Sequence, residues 1–179
     1  MAKEKKFLSD IETIRKRARE HIREGAVTSG YSADRKTVVK LLNEALATEI
    51  VCVLRYKAHH YLASGINAKS VAAEFLEHAN EEQEHADWLA ERITQLNGKP
   101  QLDPSQFAKN SHTLYIESED LTGMLTEDLV AERIAIETYT AILHWLGEDD
   151  PTSSRLIRKI LEKEEEHAED IATLMERVK

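Results

Sequence analysis

The sequence predicts an all-α fold built on four long helices, and three observations carry that prediction. Ala, Leu, Glu, Lys and Arg are abundant, whereas the 179 residues include only six Gly and three Pro. Apolar residues recur at helical spacing over four stretches of roughly 28 residues, each on the order of 40 Å long as a helix. Between the second and third stretches lies a linker of roughly twenty residues, long for a compact domain. It is the length needed to carry the chain back along a bundle before the third helix begins, which gives an up-down-down-up order.

Residues 1–34 read as an extension with one short helix. Ser9 with Glu12 three residues on makes the capping-box pattern, so a short helix is expected over about 9–24, stopped by Gly25. Residues 25–34 read as a linker, and Asp34 caps the first long helix, about 35–63. Its apolar file is Val38, Leu42, Ala45, Cys52 and Tyr56, with Glu49 standing inside it. The second long helix, about 70–97, carries Phe75, Leu89 and Leu96 at heptad intervals, with Glu82 in the same file and Gly98 as its stop. A crossover follows, with a short helix expected around Pro104–Lys109. Ser118 opens the third long helix, whose file is Leu125, Leu129, Glu132, Ile136, Tyr139 and Leu143 and which Gly147 ends. After a turn through Pro151, Thr152 or Ser153 caps the fourth helix, with Ile157, Ile160, Ile171 and Leu174 around Glu164. Residues 35–179 therefore form one bundle domain.

Each helix thus places one glutamate in a slot that should be apolar. On the second and fourth, a histidine follows three residues later on the same face, in Glu82-Gln-Glu-His85 and Glu164-Glu-Glu-His167. With 24 Glu in the chain and eight His, about one Glu-x-x-His match is expected by chance, so the pairs alone decide little. Position decides more, because the two halves repeat. Glu49 precedes Tyr56 by seven residues and Glu132 precedes Tyr139 by seven; Glu49 to Glu82 is 33 residues and Glu132 to Glu164 is 32. Four carboxylates in a core would each cost several kcal/mol, to order of magnitude, if uncompensated. Two divalent cations would offset them, and a donor set of O and N without sulfur favours iron or manganese over a structural zinc. A bland reading has some of these glutamates at the edge of the stripe, reaching solvent.

The net charge is −9, from 24 basic and 33 acidic residues. Residues 1–25 hold eight Lys/Arg and five Asp/Glu, or +3, which leaves −12 for the rest. An acidic body argues against general affinity for nucleic acid and suits cations. No apolar run approaches the roughly 18 residues of a membrane span and no signal-peptide pattern opens the chain, so a cytoplasmic protein is expected. The single cysteine, Cys52, excludes an intrachain disulfide and a Cys-x-x-Cys knuckle, and reads as a small core filler.

Over about residues 35–178 the chain resembles the ferritin superfamily, in its bacterioferritin and Dps-like branch. The resemblance lies in Leu42-Asn-Glu-Ala-Leu-Ala-Thr-Glu49, Glu82-Gln-Glu-His85-Ala-Asp87, Asp128-Leu-Val-Ala-Glu132 and Glu164-Glu-Glu-His167. It implies a ferritin-like bundle with a dinuclear iron centre, manganese being the alternative metal. Glu49 and His85 would hold one iron, Glu132 and His167 the other, and Glu82 and Glu164 would bridge. Tyr56 matches a tyrosine beside that centre and would supply an electron. The implied activity is a ferroxidase that oxidises Fe²⁺ with H₂O₂ or O₂ and stores ferric mineral inside a homo-oligomeric shell. The alternatives are a non-storage di-iron or di-manganese enzyme of peroxidase or catalase type, and a Dps-type DNA-protecting protein. Where bacterioferritins carry a haem-binding methionine this chain has Gln83, so no haem is expected. Only twelve residues follow His167, where shells of 24 carry a fifth helix, so a shell of twelve is favoured over one of 24.

Several further residues read less sharply. His59 and His60 read as solvated helix-end residues, with a supporting or iron-entry role as the alternative. Glu77, His78 and Glu81 line either an iron-nucleating surface or a plain charged face. Trp88 and Trp145 read as packing or interface residues. Lys3, Lys5, Lys6 and Arg15-Lys16-Arg17 form a basic cluster that could hold DNA phosphates. Asp10, Glu12 and Glu20 interleave with it, so packing between subunits is the favoured role.

Overall fold

The computed structural model describes residues 10–66 and 68–178. Its elements are α1 (Ile11–Arg17), a 3₁₀ turn (Ile22–Glu24), α2 (Arg35–Leu62), α3 (Ala68–Gln95), α4 (Pro104–Asn110), α5 (Leu121–Leu146) and α6 (Pro151–Arg177). The described residues include no strand. Among them, no helix is long and apolar enough to cross a membrane.

The expected bundle is present, with its crossover and its short α4. Helix starts differ from expectation in an instructive way, because aspartate takes the cap each time. Asp120, not Ser118, accepts from the Gly123 amide, and Asp150, not Thr152 or Ser153, accepts from the Ser153 amide. Pro151 at the first helical position of α6 is what makes Asp150 the cap, since proline has no amide hydrogen to leave unsatisfied there. At the N-terminus, Ser9 lies outside the described residues, and Asp10 caps α1 by accepting from the Thr13 amide. This helix is shorter than expected, ending at Arg17, and buries none of its residues.

The helix order follows from polar ties at the ends of the bundle. Asp150, at the start of α6, accepts from Arg92 near the end of α3 (2.9 Å) and from Tyr31 just before α2 (2.8 Å). Arg55, late in α2, donates to Asp128, early in α5, at 2.8 Å. So α2 and α6 run one way while α3 and α5 run the other, which is the up-down-down-up order. The crossover is strapped along α2 at three heights. Asn43 donates to Lys99 O (3.3 Å) and accepts from the Gln101 amide (2.7 Å), Thr48 accepts from the His112 amide (3.0 Å), and Arg55 donates to Leu114 O (3.0 Å). Each tie satisfies backbone groups that a helix-free segment would otherwise leave unpaired.

The core falls into two apolar clusters. One contains Leu42, Leu46, Leu89, Ile93, Tyr139 and Ile157; the other contains Cys52, Tyr56, Phe75, Met124, Leu125 and Ile171. Between them, at mid-height on all four helices, lies a polar layer.

Candidate metal centre

That layer is made by Glu49 of α2, Glu82 and His85 of α3, Glu132 of α5, and Glu164 and His167 of α6. Each is at most 1 % exposed. All six residues predicted from sequence are therefore brought together, and the edge-of-stripe reading fails for every one. They form two overlapping groups whose donor atoms lie within 4.8 Å of one another. One is Glu49, Glu82, His85 and Glu164, and the other is Glu82, Glu132, Glu164 and His167. Glu82 and Glu164 belong to both, the geometry of two adjoining ion positions sharing two carboxylates.

The closest approaches join histidine to carboxylate. His85 Nδ1 lies 3.0 Å from Glu82 Oε2, 3.0 Å from Glu164 Oε1 and 3.4 Å from Glu49 Oε2. His167 Nδ1 lies 3.5 Å from Glu82 Oε1 and 3.9 Å from Glu132 Oε2, while its Nε2 bonds Glu81 Oε2 at 2.6 Å. Burial, and then the charge of Glu82, push the Glu49 and Glu164 carboxyls well above the usual carboxylate range, and Glu132 is raised for the same reasons. For Glu82, burial acts in that direction too, but its hydrogen bond with His85 and its close contacts with Glu49 and His167 outweigh it and hold the carboxyl well below its ordinary value. Burial would lower the imidazoles, yet their carboxylate neighbours raise His85 far above its ordinary value and His167 to about 9. Protons and imidazolium rings thus neutralise charge that four carboxylates would otherwise concentrate in one layer.

Hydrogen bonding does not account for the whole layer. Both oxygens of Glu49, Glu82 Oε1, Glu132 Oε2, Glu164 Oε1 and His167 Nδ1 are buried without a hydrogen-bond partner. Unpaired acceptors in a core are costly, and these converge from four helices on one place. A hard or borderline divalent cation is the partner such a set fits; the donor set is O-rich with two imidazole nitrogens, as iron and manganese take.

Tyr56 lies at the edge of this layer, with its hydroxyl donating to Glu132 Oε1. Burial, then the Glu132 charge, raise its pKa well above the ordinary phenol value. Gln83 lies outside this layer, partly exposed, and donates to Asp87 Oδ1 at 3.1 Å. Cys52 is a buried free thiol in the core, as expected.

Three groups stand closer to the centre than sequence reasoning placed them. His78 is buried, its Nδ1 is 3.3 Å from the Tyr56 hydroxyl and its ring stacks on that of His167 at 4.1 Å. Glu81 orients His167 from its outer side. His59, read as a solvated helix-end residue, is fully buried and donates from Nδ1 to Asp128 Oδ2 at 2.9 Å, opposite the Arg55 bond to Oδ1. Its neighbour His60 is half-buried and bonds Ala72 O. Trp88 does serve packing, lying 5.3 Å from the His85 ring with the Lys159 ammonium 3.3 Å over its own ring, whereas Trp145 is 47 % exposed.

Comparison with known proteins agrees with this architecture. A family model described as a ferritin-like domain matches residues 39–179. The bacterioferritin of Desulfovibrio desulfuricans is 30 % identical over 146 residues, covering 78 % of this chain and 75 % of that one. A nutrient stress-induced DNA-binding protein of Synechococcus is 33 % identical over 138 residues, covering 73 % of this chain and 76 % of its own. Among solved structures, the bacterioferritin-related protein of Bacteroides fragilis, a dodecameric thioferritin, superposes with a TM-score of 0.79 at 31 % identity, covering 82 % of this chain and 89 % of that one. On the family match and these relatives together, the chain belongs to the ferritin-like domain family, in its bacterioferritin and Dps-like branch.

Proposed function

We propose that this protein is an iron-storing ferroxidase. Two Fe²⁺ ions are its substrate, one held by Glu49 and His85 and the other by Glu132 and His167, with Glu82 and Glu164 shared. The observation that carries the reading is the set of buried, unpartnered carboxylate oxygens converging from four helices. Each Fe²⁺ gives up one electron, and H₂O₂ or O₂ accepts them. The protein's part is geometric and electrostatic: shared carboxylates fix the separation of the ions, and anionic oxygens favour the rising ferric charge. Tyr56 holds Glu132 in place and is the nearest phenol to supply a further electron.

Ferric product would pass into the interior of a homo-oligomeric shell, with twelve subunits favoured. The dodecameric B. fragilis relative supports that number. Assembly as such is supported by the apolar surface that a lone chain leaves uncovered, with Tyr61 79 %, Leu114 68 % and Leu54 51 % exposed. In this reading residues 35–179 are the working domain and residues 1–34 an extension that packs between copies, since α1 exposes Ile11 and Ile14 beside its basic residues.

The test is anaerobic loading of metal-free protein with Fe²⁺, then peroxide or air, following ferric absorbance and the iron retained through gel filtration. Fast oxidation saturating near two ions per chain, then slower uptake of many more, is expected. Saturation at two with no further uptake would favour the non-storage di-iron or di-manganese enzyme instead. A second reading, DNA protection, draws on the DNA-binding Synechococcus relative and the exposed Arg15-Lys16-Arg17 run. A gel shift at low salt that disappears when residues 1–34 are removed would support it.

A further inference from the structure

Among the described residues, one more set of metal-type donors lies within 4.8 Å and uses none of the six residues above: Glu74, His78 and Asp170. Glu74 and His78 are one turn apart on α3, and Asp170 reaches them from α6 across the groove between these helices. The hydrogen-bond directions around His78 decide what its free nitrogen is. Tyr56 spends its hydroxyl proton on Glu132, so towards His78 its oxygen can only accept, and His78 Nδ1 must carry the hydrogen of the 3.3 Å contact. In the neutral ring Nε2 is then a bare lone pair. It belongs to a side chain that is 2 % exposed, it has no hydrogen bond among the described residues, and it faces Glu74 Oε1 at 3.6 Å.

An acceptor nitrogen facing a carboxylate at this distance, with a second carboxylate within 4.8 Å of that group, is an arrangement that repels itself. Neither Glu74 nor Asp170 has an ion pair with lysine or arginine among the described residues. The spacing is too long for a direct hydrogen bond, but it suits two donors on one ion: atoms each about 2.1 Å from a common metal stand roughly 3.0–3.6 Å apart. His78 also shows the feature that ligating histidines share, its second ring N–H being fixed by a hydrogen bond that sets the tautomer.

We propose that Glu74, His78 and Asp170 bind a single first-row divalent cation, through His78 Nε2 and the two carboxylates, at a site separate from the dinuclear centre. One imidazole nitrogen and two carboxylates, completed by water, suit Mn²⁺, Fe²⁺ or Zn²⁺. Glu74 and Asp170 each keep part of their surface open to solvent. The position is therefore open to solvent, and it fills after the buried centre. His78 joins the two sites physically, with Tyr56 on one nitrogen, the new ion on the other, and the His167 ring stacked on its face. The proposal does not depend on oxidation at the centre.

The test uses full-length protein and Mn²⁺, which stays divalent under the conditions used. Anomalous diffraction from crystals at saturating Mn²⁺ should show a peak within bonding distance of His78 Nε2, apart from those of the centre. In solution, Asp170→Asn should weaken the last ion bound at least tenfold and leave the tighter ones unchanged. Glu82→Ala, which disables the centre, should keep this one ion and lose it when combined with Asp170→Asn. A filled centre with no peak at His78, or an Asp170→Asn protein with unaltered affinity for every ion, would overturn the proposal even if the ferroxidase reading stood.

Discussion

Tyr56 on α2 donates its hydroxyl hydrogen across the bundle to Glu132 on α5, and the same oxygen accepts from His78 on α3. One phenol therefore links three helices at the height of the polar layer. Tyr56→Phe should keep the bundle and the number of ions bound, because no ligand atom is removed. The fast phase of Fe²⁺ oxidation should fall about tenfold, equivalent to about 1.4 kcal/mol, a fair value for one hydrogen bond to a charged group. Stopped-flow ferric absorbance at matched iron loading reads this directly, and an unchanged rate would reduce Tyr56 to a packing residue.

Ion binding should release protons. Glu49 and Glu164 hold their protons well beyond the usual carboxylate range, and His85 is held protonated by its carboxylate neighbours, yet all three must be deprotonated to act as ligands. Adding Mn²⁺ to metal-free protein in weak buffer at neutral pH is therefore expected to acidify the solution, and apparent affinity should rise with pH. Binding without a pH change would mean that the ions sit elsewhere.

Glu49 has neither oxygen hydrogen-bonded, so its carboxylate form is the least supported of the four. Glu49→Gln, which keeps the shape of a carboxyl already held protonated, should leave the stability of the metal-free protein within about 1 kcal/mol of the parent while weakening ion binding at least tenfold. Thermal unfolding after chelation gives the first number and a Mn²⁺ titration the second. A large change in the stability of the metal-free variant would contradict a protonated Glu49.

Asp150 ties α6 to α3 and to the segment before α2, accepting from Arg92, Tyr31 and both the amide and hydroxyl of Ser153. Burial would raise its pKa, but these bonds outweigh it and the folded value lies below the ordinary one. The sign follows. This carboxylate's contribution is fully present above pH about 4, where the unfolded group ionises, and is lost as pH falls through the lower folded value. Asp150→Ala should cost about 3–5 kcal/mol near neutrality, by leaving Arg92 without its buried partner. Urea unfolding at fixed protein concentration would measure this, and the gap between variant and parent should close in acid.

The site was legible because a carboxylate in an apolar file is conspicuous, and one on each of four helices more so. The residues around it were harder to place, although the same count reaches them. Steps of three and four from Phe75 run through His78, Glu82, His85, Leu89 and Arg92 to Leu96, all buried. Steps of the same kind from Val38 end at Tyr56 and His59, and from Leu125 they pass through Asp128 to Glu132, Ala135 and Tyr139. His78, His59 and Asp128 occupy core slots as strictly as the four buried glutamates do. The two histidines read as solvated or charged-face residues, and Asp128 drew no reading of its own, because the partners that make their burial tolerable come from other helices: Tyr56 for His78, Asp128 for His59, Arg55 for Asp128. On α5 the file Leu129, Ile136 and Leu143 lay one position off the seam, and these residues are only partly buried. What could not be read at all was Glu81 against His167, a contact across two helices set by their rotation and not by spacing along either.

The crossover's three ties to α2 make the bundle unequal on its two sides. Asn43, Thr48 and Arg55 lash the returning strand against that helix, and the Arg55–Asp128 pair continues the fastening onto α5. Opposite, beside His167, the groove between α3 and α6 is lined by the side chains of Glu81, Lys163 and Glu166. Lys163 lies 3.6 Å from Glu81 and 2.7 Å from Glu166, and about a third of the Glu81 and Lys163 side chains is open to solvent. The bundle is therefore fastened on one side by ties anchored to backbone groups, and on the other by a partly exposed chain of charged side chains whose innermost member, Glu81, bonds His167.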